Sequence, residues 1–285
     1  MSYWVAVAAR NASEHLPRTL TSLLSQSLRP ERIIVVDDGS TDQTPDLLKT
    51  YEQQHEGTIK ILTLPDRGFD IRRVPSNING AWKDAEDSGL KSDFFMISGD
   101  DCCYAPNYTE FLVSRMRADH TIVVASGRPS SSREGFSREH SPSGSGRMVD
   151  SRFWREVGSE YPVRAGWETW LLYAASQKGL KVRLFDDVVF DHLQPRGTRH
   201  QFAYWGAAMQ TLGYHPLYAL GRIAKNAVSP TIAPRRAVNM IRGYLEARLG
   251  SNDSFLSPFN SSLRSFVYQQ QAYRIASIVE SVGRR

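Results

Sequence analysis

Two short apolar runs in this sequence each end in paired aspartates. Ile33–Val36 stops at Asp37-Asp38-Gly39-Ser40-Thr41-Asp42, and Phe94–Ile97 stops at Ser98-Gly99-Asp100-Asp101. An apolar run that breaks into carboxylates and a turn is how a buried strand delivers acidic side chains to a sheet edge. Open α/β sheets bind their ligands in the crevice beyond such strand ends. Two ends of this kind imply one pocket where carboxylates meet a metal ion or a sugar nucleotide. Further along, Glu168 opens a helical stretch, where the macrodipole favours an ionised carboxylate. His192 follows the apolar run Val188–Phe190, with Asp191 before it.

The elements that must position these groups alternate. A strand over Trp4–Ala9 leads into a helix over His15–Gln26 with Leu16, Leu20, Leu23 and Leu24 at helical spacing. Next come a strand at Ile33–Val36, a helix over Thr44–His55 with Pro45 in its first turn, and a strand over Ile59–Leu64. A helix over Asn77–Ser88 and a strand over Asp93–Ile97 follow. Repeated β-α-β units predict a mostly parallel sheet with helices on both faces. A helix over Tyr108–Arg117 and a strand over Thr121–Ala125 precede residues 128–147, a stretch rich in Ser, Gly and Arg. That composition reads as an exposed loop, either a lid or acceptor loop or plain surface. A helix over Trp167–Lys178 with Gly179 as C-cap leads to a strand over Lys181–Phe190. The remainder reads as helical, over Phe202–Gly213, Pro216–Lys225, Pro234–Leu249 and Phe266–Val282.

Composition narrows the class. The chain has 285 residues, 41% hydrophobic and 23% charged, enough for one large domain with an extension. Its net charge of +5 requires no nucleic-acid partner and suits anionic ligands or an anionic membrane surface. The two cysteines, Cys102 and Cys103, are adjacent, a poor arrangement for a disulfide, so a reducing compartment is expected. No zinc site is evident from ligand spacing. Met1–Trp4 runs straight into strand-like sequence without a leader, and no apolar stretch approaches the roughly 20 residues that span a bilayer. The expected setting is cytoplasmic, with peripheral attachment to the cytoplasmic membrane face open.

Four landmarks in order resemble a family 2 glycosyltransferase of the GT-A fold, over roughly residues 4–195. The first is Val5–Asn11 with Leu23-Leu24-Ser25-Gln26-Ser27. There Ala8-Ala9-Arg10 stands where the family usually has Pro-Thr-Tyr, and only Asn11 is kept. The resemblance implies that this strand end contacts the nucleotide through Ala8 and Arg10, with Arg10 stacking on a base or pairing with a phosphate. The second is Asp37–Thr44, which implies that Asp38 accepts a hydrogen bond from a uracil or guanine ring; an ionised carboxylate is acceptor-only. Asp42 reads more readily as a helix cap. The third is Ile97–Pro106, similar to the family's Asp-X-Asp motif, with Ser98 where many relatives have the first aspartate. It implies that Asp100 and Asp101 bind the ribose and a divalent metal, Mn²⁺ or Mg²⁺, and leaves open which of them touches the ion. The fourth is Gly166–Leu171 with Gly179 beyond. Counting back from that glycine puts Glu168 on the family's catalytic aspartate and Trp167 on the glutamate before it. The resemblance adds His192 as a metal or diphosphate ligand. Arg72, Arg73, Arg196, Arg199 and His200 are further candidates for the donor, Arg73 among the nucleotide contacts.

The implied reaction is inverting hexosyl transfer from a UDP- or GDP-linked sugar to an acceptor hydroxyl, with Glu168 as general base. One base carboxylate and a metal on the leaving group fit this better than a two-carboxylate hydrolase. The implied division is a catalytic domain over 1–198 and a helical extension over 199–285. Arg235, Arg236, Arg242 and Arg248 on that extension read two ways. They rest on a membrane near a lipid-linked acceptor, or their helices pack on the domain or on a second copy in a homodimer. The acceptor stays open: a glycan, a lipid-linked sugar or another hydroxyl. Two rival readings remain. A non-enzymatic nucleotide- or protein-binding module would explain the departures at Ala8, Ser98 and Trp167. A sugar nucleotidyltransferase would want a Gly-rich basic loop after the first strand, which Ala8–Ala12 lacks.

Overall fold

A computed structural model describes residues 2–131, 142–194, 202–227, 234–250 and 252–283. The chain divides into two compact units, Met1–Tyr161 with Lys178–Thr198, and Pro162–Gln177 with Arg199–Arg285. Each is described in its own right.

The first unit is built on one sheet. Its strands are β1 (Tyr3–Ala9), β2 (Arg32–Asp37), β3 (Ile59–Thr63), β4 (Phe94–Gly99), β5 (Cys102–Tyr104), β6 (Ile122–Pro129), β7 (Arg147–Asp150) and β8 (Lys181–His192). Their order is β3-β2-β1-β4-β7-β6-β8-β5. The four strands from β3 to β4 run parallel, as the β-α-β repeats predict. β7 then enters antiparallel to both β4 and β6, and β5 closes the far edge antiparallel to β8. These two strands have four and three residues. Each is too short for a periodicity signal, and β7 sits at the end of the stretch that reads as loop. The mixed α/β class stands, with its parallel half legible and its antiparallel insertions not.

Both sheet faces are covered, which is why β1, β2 and β4 read as continuous apolar runs. Tyr3, Val5 and Val7 of β1 point to one face, where α1 (Leu16–Leu24) and α4 (Tyr108–Ala118) bring Leu16, Leu20, Leu23, Leu112 and Met116. Trp4 points to the other. It stacks on Phe95 at 5.5 Å and tilts against Trp82 at 5.8 Å, while Trp154 meets Phe95 edge-on at 5.2 Å. Trp82 comes from α3 (Val74–Asp87) and Trp154 from α5 (Ser151–Glu156); α2 (Thr44–Gln54) follows β2. α3 starts three residues before its expected Asn77, because Pro75 is admissible in a helix's first turn. Gln26, part of the first landmark, is buried and fully engaged. Its Nε2 donates to the carbonyls of Ser22 and Ala105, both at 2.9 Å, and its Oε1 accepts from Thr109 N at 3.0 Å. It ties the end of α1 to the start of α4.

The second unit is helical: α6 (Trp167–Gln177), α7 (Phe202–Thr211), α8 (Pro216–Ala227), α9 (Pro234–Leu249) and α10 (Ser261–Gly283). Phe202, Met209, Leu212, Ile223, Met240, Leu263 and Val267 form its core. α7 and α9 touch backbone to backbone. A methyl group on Gly206 would overlap the Met240 carbonyl, and one on Gly243 would overlap that of Ala203. Arg236 is held inside the unit, its guanidinium 5.1 Å from the centre of the Phe202 ring. Among the described residues no helix is long and apolar enough to cross a membrane.

The helix crossing gives a paired test. Gly206→Ala should destabilise by about 1–3 kcal/mol through overpacking. Gly221→Ala on α8, with nothing near the added methyl, should stabilise by about 0.5–1 kcal/mol through helix propensity. Urea unfolding of the two variants checks both signs; a neutral Gly206→Ala would mean that the crossing is loose.

Candidate active site

Register sets the site. β1 pairs Ala8 with Val36 of β2 and with Gly99 of β4, so three parallel strands finish level. The residues that follow, Arg10, Asp38 and Asp100, therefore emerge side by side at the carboxyl edge. Ala8 and Gly99, neighbours in register, are the partly exposed members of otherwise buried strands, so the sheet floor opens between them.

Arg10 links two of these ends. Its backbone N–H donates to Asp100 Oδ2 at 3.3 Å. Its guanidinium donates to the carbonyls of Asp38 and Gly39 and pairs with Asp66 Oδ1 at 2.6 Å. Arg10 and the Gly68 N–H hold the Asp66 carboxyl below its ordinary range. Gly39 must be glycine on two counts. Its φ is +67°, and a Cβ there would lie 2.5 Å from the backbone of Asp66.

Asp38 is buried and gripped by Arg73 from the turn before α3. Arg73 Nε lies 3.0 and 3.1 Å from the two carboxylate oxygens, and Nη2 lies 2.9 Å from Oδ2. This forked pair raises the guanidinium pKa, through the hydrogen bond to Asp38 first. The neighbouring Arg72 turns to Asp70 instead, at 2.7 Å. The short loops are laced together as well. Asn11, at φ +46°, accepts from Thr41 N at 2.8 Å. Asp42 accepts from Thr44 N at 3.0 Å and from Ser13 Oγ at 2.7 Å, which fits the capping reading. Burial alone would raise the Asp42 carboxyl, but the bonds from Thr44 and Ser13 win and hold it at about 2.

Beyond β4 the chain turns through Asp100-Asp101 into β5. Buried Thr19 of α1 braces that turn, its hydroxyl donating to the Asp100 carbonyl at 3.0 Å and accepting from Cys102 N at 3.1 Å. Pairing of β5 with β8 puts Cys102 opposite His192. Asp101, Cys102 and His192 thereby form a cluster with metal-ligand chemistry. Asp101 Oδ1 and His192 Nδ1 are 3.6 Å apart, and Cys102 Sγ is 3.6 Å from each. Burial first, and then the Asp101 charge, push the thiol up to about 12, and both cysteines are free. An oxygen and an imidazole nitrogen from separate elements, facing one another at the strand ends, fit a divalent cation. Ser98 is buried in β4, with its hydroxyl 2.8 Å from the Tyr104 hydroxyl, so it adds no carboxylate.

One continuous set of contacts thus runs from Arg73 through Asp38, Arg10 and Asp100 to Asp101 and His192. Glu168 belongs to the second unit, exposed in the first turn of α6. Trp167 packs against the group holding Ala165, Ala207 and Phe255, and Trp170 against the main core of that unit. Arg196, Arg199 and His200 lie outside the described residues, as do residues 132–141 of the Ser/Gly/Arg-rich stretch. Two participants escaped the sequence reading. Asp66 carried no signal beyond following a proline. Cys102 stood beside the paired aspartates, but its register with His192 depends on a three-residue strand. A hollow of about 690 Å³ lined by Asp93, Phe94, Arg117, His120 and Arg155 lies at the amino end of β4 and contains none of these groups.

The profile described as Glycosyl transferase family 2 matches residues 4–188. No curated protein sequence matches the chain. Among solved structures, residues 1–349 of S. aureus TarS align with a TM-score of 0.56 at 14% identity, covering 86% of this chain and 71% of that one. Against the longer TarS chain the coverage is 44% of its length. The same TarS piece was solved with UDP-GlcNAc, at 13% identity and a TM-score of 0.56, over 86% of this chain and 72% of that one. The mannosyltransferase PcManGT from Pyrobaculum calidifontis, in complex with GDP-Man and Mn²⁺, aligns with a TM-score of 0.57 at 16% identity, over 98% of this chain and 86% of that one. At these identities the likeness shows the fold.

The lacing of the loops predicts an acid limb. A carboxyl held below its unfolded value stabilises the fold above that unfolded value and loses the contribution as pH falls through the folded one. For Asp42 the window runs from the ordinary 3.8 down to about 2. Urea midpoints measured across it should fall more steeply for the wild type than for Asp42→Asn. Parallel curves would show that these bonds do not lock the loops.

Proposed function

The chain belongs to glycosyl transferase family 2 and is a glycosyltransferase. From that premise we propose that it moves a hexose from a UDP- or GDP-linked donor to an acceptor hydroxyl by metal-dependent, inverting displacement. The observation that carries this reading is the contact chain from Arg73 to His192 along the level ends of β2, β1 and β4. It supplies, in one line, acceptors for a base, cations for phosphates and ligands for a dication. Bound UDP-GlcNAc in TarS, and GDP-Man with Mn²⁺ in PcManGT, support the same substrate class.

In this reading Ala8, beside Gly99, leaves the sheet floor bare for the nucleotide. Asp38, oriented by the Arg73 guanidinium, keeps lone pairs for a ring N–H. Arg10 sets the edge of the nucleotide site, and Asp100 takes the ribose and shares the metal site. Asp101 and His192 would hold Mn²⁺ or Mg²⁺. The bound ion supplies charge stabilisation for the leaving diphosphate. Glu168 accepts the proton of the acceptor hydroxyl as that oxygen attacks the anomeric carbon from the face opposite the leaving group. Residues 1–198 carry the donor and catalytic groups, with their Pro162–Gln177 segment lying in the helical unit, and 199–285 form the helical extension. The free thiols accord with a cytoplasmic setting.

Glu168→Gln is the direct test. It should lower transfer and donor hydrolysis by about 10²–10⁴-fold while leaving nucleotide affinity unchanged by calorimetry. Nucleotide sugars with Mn²⁺ should raise the wild-type melting temperature. Equal turnover in both forms would remove Glu168 from the reaction, and no nucleotide binding in either would remove the donor assignment.

A further inference from the structure

The strongest unassigned feature is the sulfur beside the carboxylate and the imidazole. The distances Asp101 Oδ1 to His192 Nδ1, Cys102 Sγ to Asp101 Oδ1 and Cys102 Sγ to His192 Nδ1 are all 3.6 Å. Three unlike donor atoms therefore form an equilateral triangle. Bond lengths of about 2.0–2.3 Å to O, N and S place the corners of a zinc tetrahedron about 3.3–3.6 Å apart. Adjacent ligands of an octahedral Mg²⁺ site, at about 2.1 Å from the ion, stand only about 3.0 Å apart. The observed triangle brings the three donor atoms within reach of one ion and lies near the spacing of the first arrangement.

The sulfur is also fixed in place. Cys102 is fully buried, its N–H is held by Thr19 Oγ1 at 3.1 Å, and its strand register faces it to His192. The Ser98 hydroxyl is turned to Tyr104, and the thiol's own hydrogen bonds with the hydroxyls of Ser145 and Tyr104 are the ones a cation would displace. Cys103, the next residue along β5, pairs with Asp191 instead and serves as an internal control.

We propose that Cys102 is a further ligand to the metal ion beside Asp101 and His192, and that its sulfur makes this site prefer a borderline-soft dication such as Zn²⁺ or Co²⁺ to Mg²⁺. This rests on the reading that Asp101 and His192 hold the ion and sharpens which ion that is. Soft thiolate ligands select such metals, and a carboxylate set without sulfur does not. Binding exchanges the thiol proton for the cation and releases that proton to solvent.

Co²⁺ titration of the chelator-treated full chain tests this without reference to turnover. The wild type should develop a thiolate-to-cobalt charge-transfer band in the near ultraviolet, with the intense visible bands of four-coordinate cobalt. Cys103→Ser should keep both. Cys102→Ser should lose the charge-transfer band and bind Co²⁺ and Zn²⁺ at least about 10-fold more weakly, with Mg²⁺ affinity unchanged. The wild-type spectrum decides even if Cys102→Ser folds poorly. Cobalt bound with no sulfur band would overturn the role of Cys102 and leave the Asp101–His192 site standing. Failure of Co²⁺, Zn²⁺ and Mn²⁺ alike to bind would overturn both this inference and the metal dependence of the proposed reaction.

Discussion

The level finish of β1, β2 and β4 is the constraint on which the site rests. A strand advances about 3.3 Å per residue, so a slip of one position would carry Arg10, Asp38 or Asp100 out of line and turn every side chain of that strand to the opposite face. Apolar side chains on both faces prevent the slip. Trp4 is wedged among Trp82 and Phe95 on one side, while Val5 and Val7 are buried among leucines of α1 and α4 on the other. The core is therefore the ruler that aligns the polar edge.

Given that alignment, the charges at the edge are arranged to hold one another. Two arginines and two buried aspartates alternate, and the arginines also seize backbone carbonyls of Asp38, Gly39 and Gly68. Such forks orient carboxylates as well as neutralise them. The Arg73 fork thus fixes the Asp38 carboxylate, and the Arg10 backbone N–H holds Asp100 Oδ2 beside it. The backbone of Asp66, pressed against Gly39, shows how little slack the arrangement has.

Much of this was legible in the residues, and the reasons for the gaps are physical. Strands buried on both faces write themselves as apolar runs, so β1, β2 and β4, and the aspartates at the ends of β2 and β4, could be read directly. Asp42 could be read as a cap because capping is local chemistry. Cys102 could not be read as a neighbour of His192. The two residues are 90 positions apart, and their meeting depends on a three-residue strand at the far edge of the sheet. The same holds for β7, whose pairing with β4 and β6 imposes itself only once the sheet exists. Arg10 was expected at the nucleotide from its place in the first landmark. The loop after β3, which brings Asp66 to its guanidinium, has no sequence signature. Glu168 shows the opposite case, in which a residue was found by counting from a helix-capping glycine, and its assigned role waits on chemistry.

The insertion between β6 and β7 has a consequence for how such a protein can diversify. Those two strands are antiparallel neighbours, so the connection leaves and re-enters the sheet at adjacent points. Its return end is clamped: Ser143 N donates to Ser126 Oγ at 2.8 Å, and buried Arg147 donates to the carbonyls of Ser143 and Pro142 at 2.9 and 3.3 Å. A connection with anchored feet can lengthen or change composition at a closure cost that grows only logarithmically. New surface can therefore be tried there, generation after generation, while the strands beneath keep their alignment.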